Sequence, residues 1–203
     1  MREERTSGRS LPGVEAPTTL GRLELVPALD RPDLLAAPVV DALRGRDDGR
    51  DAMVAEIDPS LADTAAFCER YEVDLDVSAN CVVVAGRRGD DERVAACVVL
   101  ATTRADVNGF VRRRLDVRKA SFLSMDEATA RTGMAYGGIT PIALPADWPV
   151  LVDTAVTARP YVVIGSGIRR SKLLVPSALL AATPEAEVHD GLARPAPPSS
   201  GQG

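Results

Sequence analysis

The 203-residue sequence is poor in the side chains that most often carry hydrolytic or metal chemistry: it has one histidine, His189, two lysines, Lys119 and Lys172, and three cysteines. A lone histidine near the C-terminus argues against a histidine metal site and against a Ser-His-Asp relay, and the sequence implies no metal and no cofactor. Aromatic residues make up only 3%. The core is therefore expected to be Val, Leu, Ile and Ala, which suits sheet packed against helix. Cys68, Cys81 and Cys97 form no C-x-x-C pair and lie in apolar stretches, as buried free thiols of a reducing compartment do. No run of 18 residues is uninterruptedly apolar, and the start MREERTSGRS lacks the apolar centre of a signal peptide, so a cytoplasmic protein with no membrane contact is expected. The net charge of −5 lacks the basic excess by which proteins grip nucleic acid in bulk. It leaves room for contact with a short single-stranded end.

What is present is a chain of alternating short elements between two polar ends. Residues 1–19 and 193–203 are rich in charge, Gly, Ser and Pro and are expected to be tails, with one domain over 20–192. A helix is predicted from Asp33 to Arg44 with Gly45 as its stop, and another from the cap Asp58, with Pro59 in its first turn, to Tyr71. Two β-branched runs, Asn80–Ala85 and Val94–Thr102, flank a polar turn and predict a hairpin in a mostly buried sheet. Asp106 caps a helical stretch to Leu115. Ser124 and Glu127 form a capping box for a helix ending near Gly133. Strands are predicted at Val150–Asp153, Tyr161–Ile164 and Ser171–Val175, a last helix from Pro176, and an edge strand at Glu187–His189. Strands with irregularly interspersed helices indicate an α+β domain with a mixed sheet.

Four constellations could carry chemistry. GMAYGGITP, from Gly133 to Pro141, offers backbone that can approach a ligand closely and N–H groups able to form an anion or oxyanion site; the same spacing suits a sharp bend. Ile164-Gly165-Ser166-Gly167, followed by Arg169, Arg170, Ser171 and Lys172, could hold a phosphate or carboxylate, or be a hairpin turn with solvated cations. Asp153 ends an apolar strand and could hold a substrate ammonium or bond backbone. Arg112, Arg113, Arg114, Arg118 and Lys119 form a basic cluster that is either a solvated face or a local phosphate contact.

In order, the segments VRKASFLSMDEATARTGMAYGGITPIAL, PVLVDTAV and YVVIGSGIRRSKLLVP resemble the YbaK/EbsC family of aminoacyl-tRNA deacylases, which includes prolyl-tRNA editing domains. The likeness runs from about Thr64 to Ala193. It implies a six- or seven-stranded mixed sheet surrounded by helices, and trans-editing hydrolysis of the ester of a mischarged tRNA. It also implies contact with the tRNA acceptor end and with an aminoacyl-tRNA synthetase. By the resemblance, Gly137 and Gly138 supply backbone groups around the ester, with Ile139 and Thr140 beside them. Asp153 matches the pocket aspartate, and Gly165, Ser166 and Gly167 match the second glycine turn. Met134, Tyr136, Pro141, Arg169 and Lys172 complete the expected substrate site.

One departure stands out. The family carries a lysine where this chain has Asn80, and an amide brings no charge. Asn80 then serves a variant deacylase reliant on backbone donors, or Lys172 or Arg169 replaces the missing cation, or the fold binds a tRNA end or a small amino-acid- or nucleotide-like ligand without hydrolysing it. A Cys81 nucleophile is a further, weaker reading, with no histidine near it in sequence.

Overall fold

The computed structural model describes residues 17–196, so of the tails expected at 1–19 and 193–203 only residues 17–19 and 193–196 are described, and 1–16 and 197–203 lie outside the described residues. A two-residue ladder of β1 (Thr19–Leu20) and β2 (Leu23–Glu24) precedes β3 (Val26–Pro27). The helix predicted from Asp33 starts later than expected: α1 is Ala37–Arg44, with Pro38 in its first turn. There the missing N–H costs nothing, whereas in mid-helix it would remove a bond. The Gly45 N–H closes the helix on the Asp41 carbonyl. Strand β4 is Met53–Glu56.

The single helix expected from Asp58 to Tyr71 is split. Asp58 caps only a 3-10 turn at Pro59–Leu61, and Asp63 caps α2 (Thr64–Tyr71) by accepting from the Ala65 N–H. Each aspartate offers its own amide an acceptor, so the chain starts twice. The predicted hairpin is longer than expected: β5 (Ala79–Arg88) and β6 (Asp91–Leu100) leave only Gly89 and Asp90 between them. After β7 (Thr103–Ala105), the Asp106 carboxylate accepts from the Gly109 and Phe110 amides. That cap opens a π-helical turn, Val107–Val111, running into α3 (Arg112–Arg114). Strand β8 (Ala120–Phe122) leads to α4 (Met125–Thr132), which the Ser124 hydroxyl caps at the Glu127 N–H. The remaining elements are β9 (Val150–Asp153), α5 (Thr154–Thr157), β10 (Tyr161–Gly165), β11 (Ser171–Pro176), α6 (Ser177–Ala181), β12 (Ala186–His189) and β13 (Ala193–Pro195).

The class is α+β, with the strands gathered into two larger sheets. One is antiparallel in the order β10-β11-β4-β3; the other is mixed, in the order β12-β9-β6-β5-β8, with β6-β9 and β9-β12 parallel. A parallel bridge between Ser78 and Val163 joins the start of β5 to β10, so the two sheets meet at that point. Small ladders β1-β2 and β7-β13 flank them. Among the described residues, no helix is long and apolar enough to cross a membrane.

Alternation along β6 fills two cores. Ala96, Val98 and Leu100 face the largest cluster, with Val39, Leu43, Ile164 and Leu173. Ala95, Cys97 and Val99 face another, with Val84, Val111, Leu115 and Leu192. A strand buried on both faces reads as a continuous apolar run, as VAACVVL does. Cys68 and Cys97 are buried free thiols and Cys81 packs against the largest cluster.

Asp153 ties three elements together. Its Oδ1 accepts from the Ala155 N–H (3.0 Å), capping α5, and its Oδ2 accepts from the Ala193 N–H (2.9 Å). The second bond explains why Ala193–Pro195, expected in the tail, pairs as β13 with β7. Losing the cap and leaving the Ala193 amide unpaired should together cost about 2–3 kcal/mol. Asp153→Ala is therefore expected to lower the midpoint of urea denaturation by that free energy; an unchanged midpoint would show that neither bond contributes.

Candidate functional site

The two glycine segments are far apart in sequence and interlocked in space. The Ala135 N–H donates to the Gly167 carbonyl (2.8 Å) and the Gly167 N–H donates to the Gly138 carbonyl (2.7 Å). The backbones approach so closely that a Cβ on Gly165 would lie 2.4 Å from the Gly138 oxygen, and one on Gly138 would lie 2.5 Å from the Ile168 oxygen. Only glycine fits at both positions. The lock presents Gly137, with φ +77°, on the opposite side of the loop.

Gly137 lies in the wall of a cleft of about 820 Å³, together with Asn80, Tyr136, Gly165, Arg169 and Lys172. Six residues predicted for the site are thus brought together from β5, both glycine segments and β11. The volume is in the range of small-ligand sites, ~300–1,000 Å³. Gly137 and Ile139 both line it, and among the described residues neither backbone N–H donates to a protein acceptor.

The polar groups of the cleft have defined partners. The Asn80 Oδ1 accepts from the Thr64 hydroxyl (2.6 Å), which fixes the amide with its NH2 as the free donor end. Arg169 spans the mouth, donating to the Tyr136 carbonyl (3.2 Å) and to the Pro59 carbonyl (3.0 Å). Lys172 is buried; its Nζ donates to the Ala62 carbonyl (2.9 Å) and sits 5.3 Å from the centre of the Phe67 ring. Desolvation pulls its ammonium below the ordinary lysine pKa, partly opposed by nearby Cys68 and Asp63. No acidic side chain bonds it among the described residues, so it is a cation held in a low-dielectric wall without a salt bridge.

Seven predicted site residues lie outside the cleft lining. Gly138 and Gly167 form the lock behind it. Ser166 is buried, its hydroxyl 2.7 Å from that of Ser171, and its carbonyl accepts from the Ala36 N–H. Met134 is buried and its Sδ accepts from the Thr140 N–H; the Thr140 hydroxyl is fully buried without a hydrogen-bond partner among the described residues. Pro141 lines a separate, smaller cavity of about 330 Å³ beside Trp148. Asp153, expected from the resemblance in the pocket, has both oxygens occupied by backbone amides, as described above. The sequence reading missed Asp63 and Thr64, because the second cap in DPSLADT was absorbed into one longer helix. It also missed Phe122, Met125 and Leu123, which line the cleft from β8 and the start of α4. What marks Phe122 is its 64% exposure.

Cys81 lines the cleft, but burial pushes its thiol far above the ordinary range, so it is not a thiolate at neutral pH. His189 bonds Glu187 on β12 instead. Among the described residues, no three His, Cys, Asp and Glu side chains gather to hold a metal ion.

A family model described as aminoacyl-tRNA editing domain matches residues 58–182, more than half of the chain. A search of curated proteins gives no match. Among solved structures, "a putative trans-editing enzyme for prolyl tRNA synthetase" superposes with a TM-score of 0.65 at 22% identity, covering 76% of this chain and 94% of that one. A structure described as hypothetical protein APE2540 gives 0.66 at 18% identity, over 77% and 99%. At these identities the likeness establishes the fold.

Replacing Gly165 by alanine tests the lock. The new methyl would have to displace the Gly138 and Ile139 carbonyls, which lie within 2.7 Å of it. The expected cost is about 1–3 kcal/mol in urea denaturation, with faster backbone hydrogen exchange at Ala135 and Gly167. Wild-type exchange in the variant would mean that the lock is not a constraint.

Proposed function

This chain belongs to the aminoacyl-tRNA editing domain family, and from that premise we propose that it is a trans-editing deacylase of the cytoplasm. Its substrate is the ester that joins a wrongly attached amino acid to the 3′-terminal ribose of tRNA. The observation that carries the reading is the convergence of Gly137, Asn80, Arg169 and Lys172 on one cleft, in a chain with only two lysines. Size differences of a methylene discriminate by only about 1–3 kcal/mol, which is why synthetases need such a second site.

Water adds to the ester carbonyl carbon, the carbonyl oxygen takes the negative charge, and collapse expels the ribose oxygen. The water's protons end on that oxygen and on the released amino acid. The Gly137 and Ile139 amides are the donors suited to the oxyanion. Donors of this kind, fixed before the reaction, typically contribute 10²–10³ in rate. The Asn80 NH2, held by Thr64, orients the substrate. Lys172 supplies the cation that Asn80 lacks, from the neighbouring sheet. The Ser78–Val163 bridge brings the start of β5 against β10, and Lys172 pairs with Gly165 on that strand. The acidic chain contacts only the acceptor end, and a synthetase partner would add the remaining tRNA contacts.

Asn80 favours one competing reading, a binding module on the same fold that recognises a tRNA end or a small amino-acid-like ligand. Purified protein incubated with a panel of mischarged tRNAs separates the two. Deacylation of at least one member above the spontaneous rate is expected; no deacylation of any member leaves the binding module. In the binding-module case Asn80→Lys should create activity.

Lys172→Met is expected to lower kcat at least about tenfold while raising thermal stability at pH 7. The sign follows from the depressed pKa. The native state binds fewer protons than the unfolded state, so the penalty of the buried charge is fully present below the native pKa. It fades as pH rises toward the unfolded value of ~10.4. The stability gap between variant and wild type should therefore narrow as pH rises toward that value. The wild-type rate, corrected for spontaneous hydrolysis, should fall on the alkaline side before an ordinary lysine would titrate. Unchanged kcat in Lys172→Met would remove the lysine from the mechanism.

A further inference from the structure

The cleft does not end at Asn80. A second groove of about 410 Å³ continues from it, sharing Asn80, Val82 and Phe122 as a common wall and running along β7 to Asn108 and β13. Its far side carries a feature that costs stability. Arg104 and Arg194 are directly opposed in the β7-β13 ladder, and like charges so placed repel. Both are exposed. Arg194 is partly balanced by Asp106 (2.7 Å), while the Arg104 side chain bonds no acceptor among the described residues. Arg112 adds a third cation behind the groove, its Nε donating to the Asn108 carbonyl (2.9 Å). This is a local cationic surface on a chain of net charge −5. At the junction of cleft and groove stands Phe122, the most exposed of the large apolar side chains among the described residues.

We propose that this groove binds the single-stranded 3′ end of the RNA, with the Arg104–Arg194 pair on its phosphates and a base stacked on Phe122. The proposal rests on the deacylase reading for what enters the cleft, but the groove is a separate site. Arg194 lies beyond the segment 58–182 that matches the editing family. The chemistry fits a strand rather than a duplex. A projecting ring serves an unpaired base, which every nucleotide can stack on regardless of sequence. Paired arginines serve successive backbone charges. An acidic protein whose phosphate contacts lie in this groove confines its affinity to a few phosphates.

The test is fluorescence anisotropy with a labelled, unacylated RNA of about twelve nucleotides ending in CCA, across a salt series. It needs no hydrolysis. Wild-type protein should bind it, and should bind a blunt duplex of the same length at least about tenfold more weakly. Arg104→Ala and Arg194→Ala should each weaken binding about fivefold and flatten the plot of log K against log salt by about 0.7. Phe122→Ala should weaken it about tenfold with the salt slope unchanged. Arg44→Ala, an exposed arginine elsewhere, should bind as wild type. The groove is overturned if wild-type protein fails to bind the strand, if the duplex binds equally well, or if the Arg104 and Arg194 variants keep the wild-type slope. The two readings fail separately: binding lost in the arginine variants of a protein that deacylates nothing upholds the groove, and active protein whose arginines are silent removes the groove alone.

Discussion

The site depends on two carbonyl oxygens being where side chains would normally be. Gly138 and Gly165 leave no room for a Cβ between them, and the Gly167 N–H and the Ala135 N–H close the contact from both sides. The loop after α4 and the turn after β10 are thereby held as one unit. What varies around the unit is arranged by it. Gly137 is turned toward the cleft, Arg169 reaches from one loop to the Tyr136 carbonyl of the other, and β11 returns with Lys172 one pairing step from Gly165. A backbone lock of this kind tolerates little adjustment, because carbonyls in contact have no rotamers to change. That stiffness is useful where donors must be fixed before charge develops.

Much of this was legible in the sequence, and the illegible part has a common cause. Gly133 as a helix stop, the Ser124 cap, the β5-β6 hairpin and the α+β class all follow from signals within a few residues. The starts of the helices at Pro38 and Asp63 differ from the expected ones by a few residues, since each turns on which of two local starts the chain uses. The glycine segments read in sequence as candidate site elements, but nothing in them says that half of their residues face away from the cleft. Whether Gly137 or Gly138 lines the cleft depends on contacts with residues thirty positions later. Asp153 shows the same limit more sharply. A carboxylate ending a strand suits a ligand site or a backbone cap, and the choice was made by Ala193, in a segment whose composition suggests no structure.

In the proposed deacylase, Lys172 on β11 would supply the charge that Asn80 does not bring on β5. A cation on β5 and one on β11 are equivalent to a substrate only if the two strands come close, and here the Ser78–Val163 bridge sets the start of β5 beside β10, on which Gly165 pairs with Lys172. The burial of Lys172 carries a cost, because an ammonium without a carboxylate partner is held out of water by Phe67 and the Ala62 carbonyl. A core position of this kind would be more stable with an apolar side chain. The same reasoning applies to the opposed Arg104 and Arg194.

These two expenditures differ in kind, and the difference bears on what the protein can recognise. Lys172 is dry, so its field acts at short range and at full strength on whatever replaces water in the cleft. Arg104 and Arg194 are wet, so their field is screened within about a Debye length and steers rather than discriminates. In the proposed deacylase the dry cation would sit where the ester reacts and the wet pair along the approach, which would separate chemistry from capture. The same arrangement would let an acidic protein act on a polyanion. Bulk attraction would hold any RNA, whereas a short cationic path leading to a stacking ring and then to a closed cleft favours an unpaired end, the part of a tRNA that carries the amino acid.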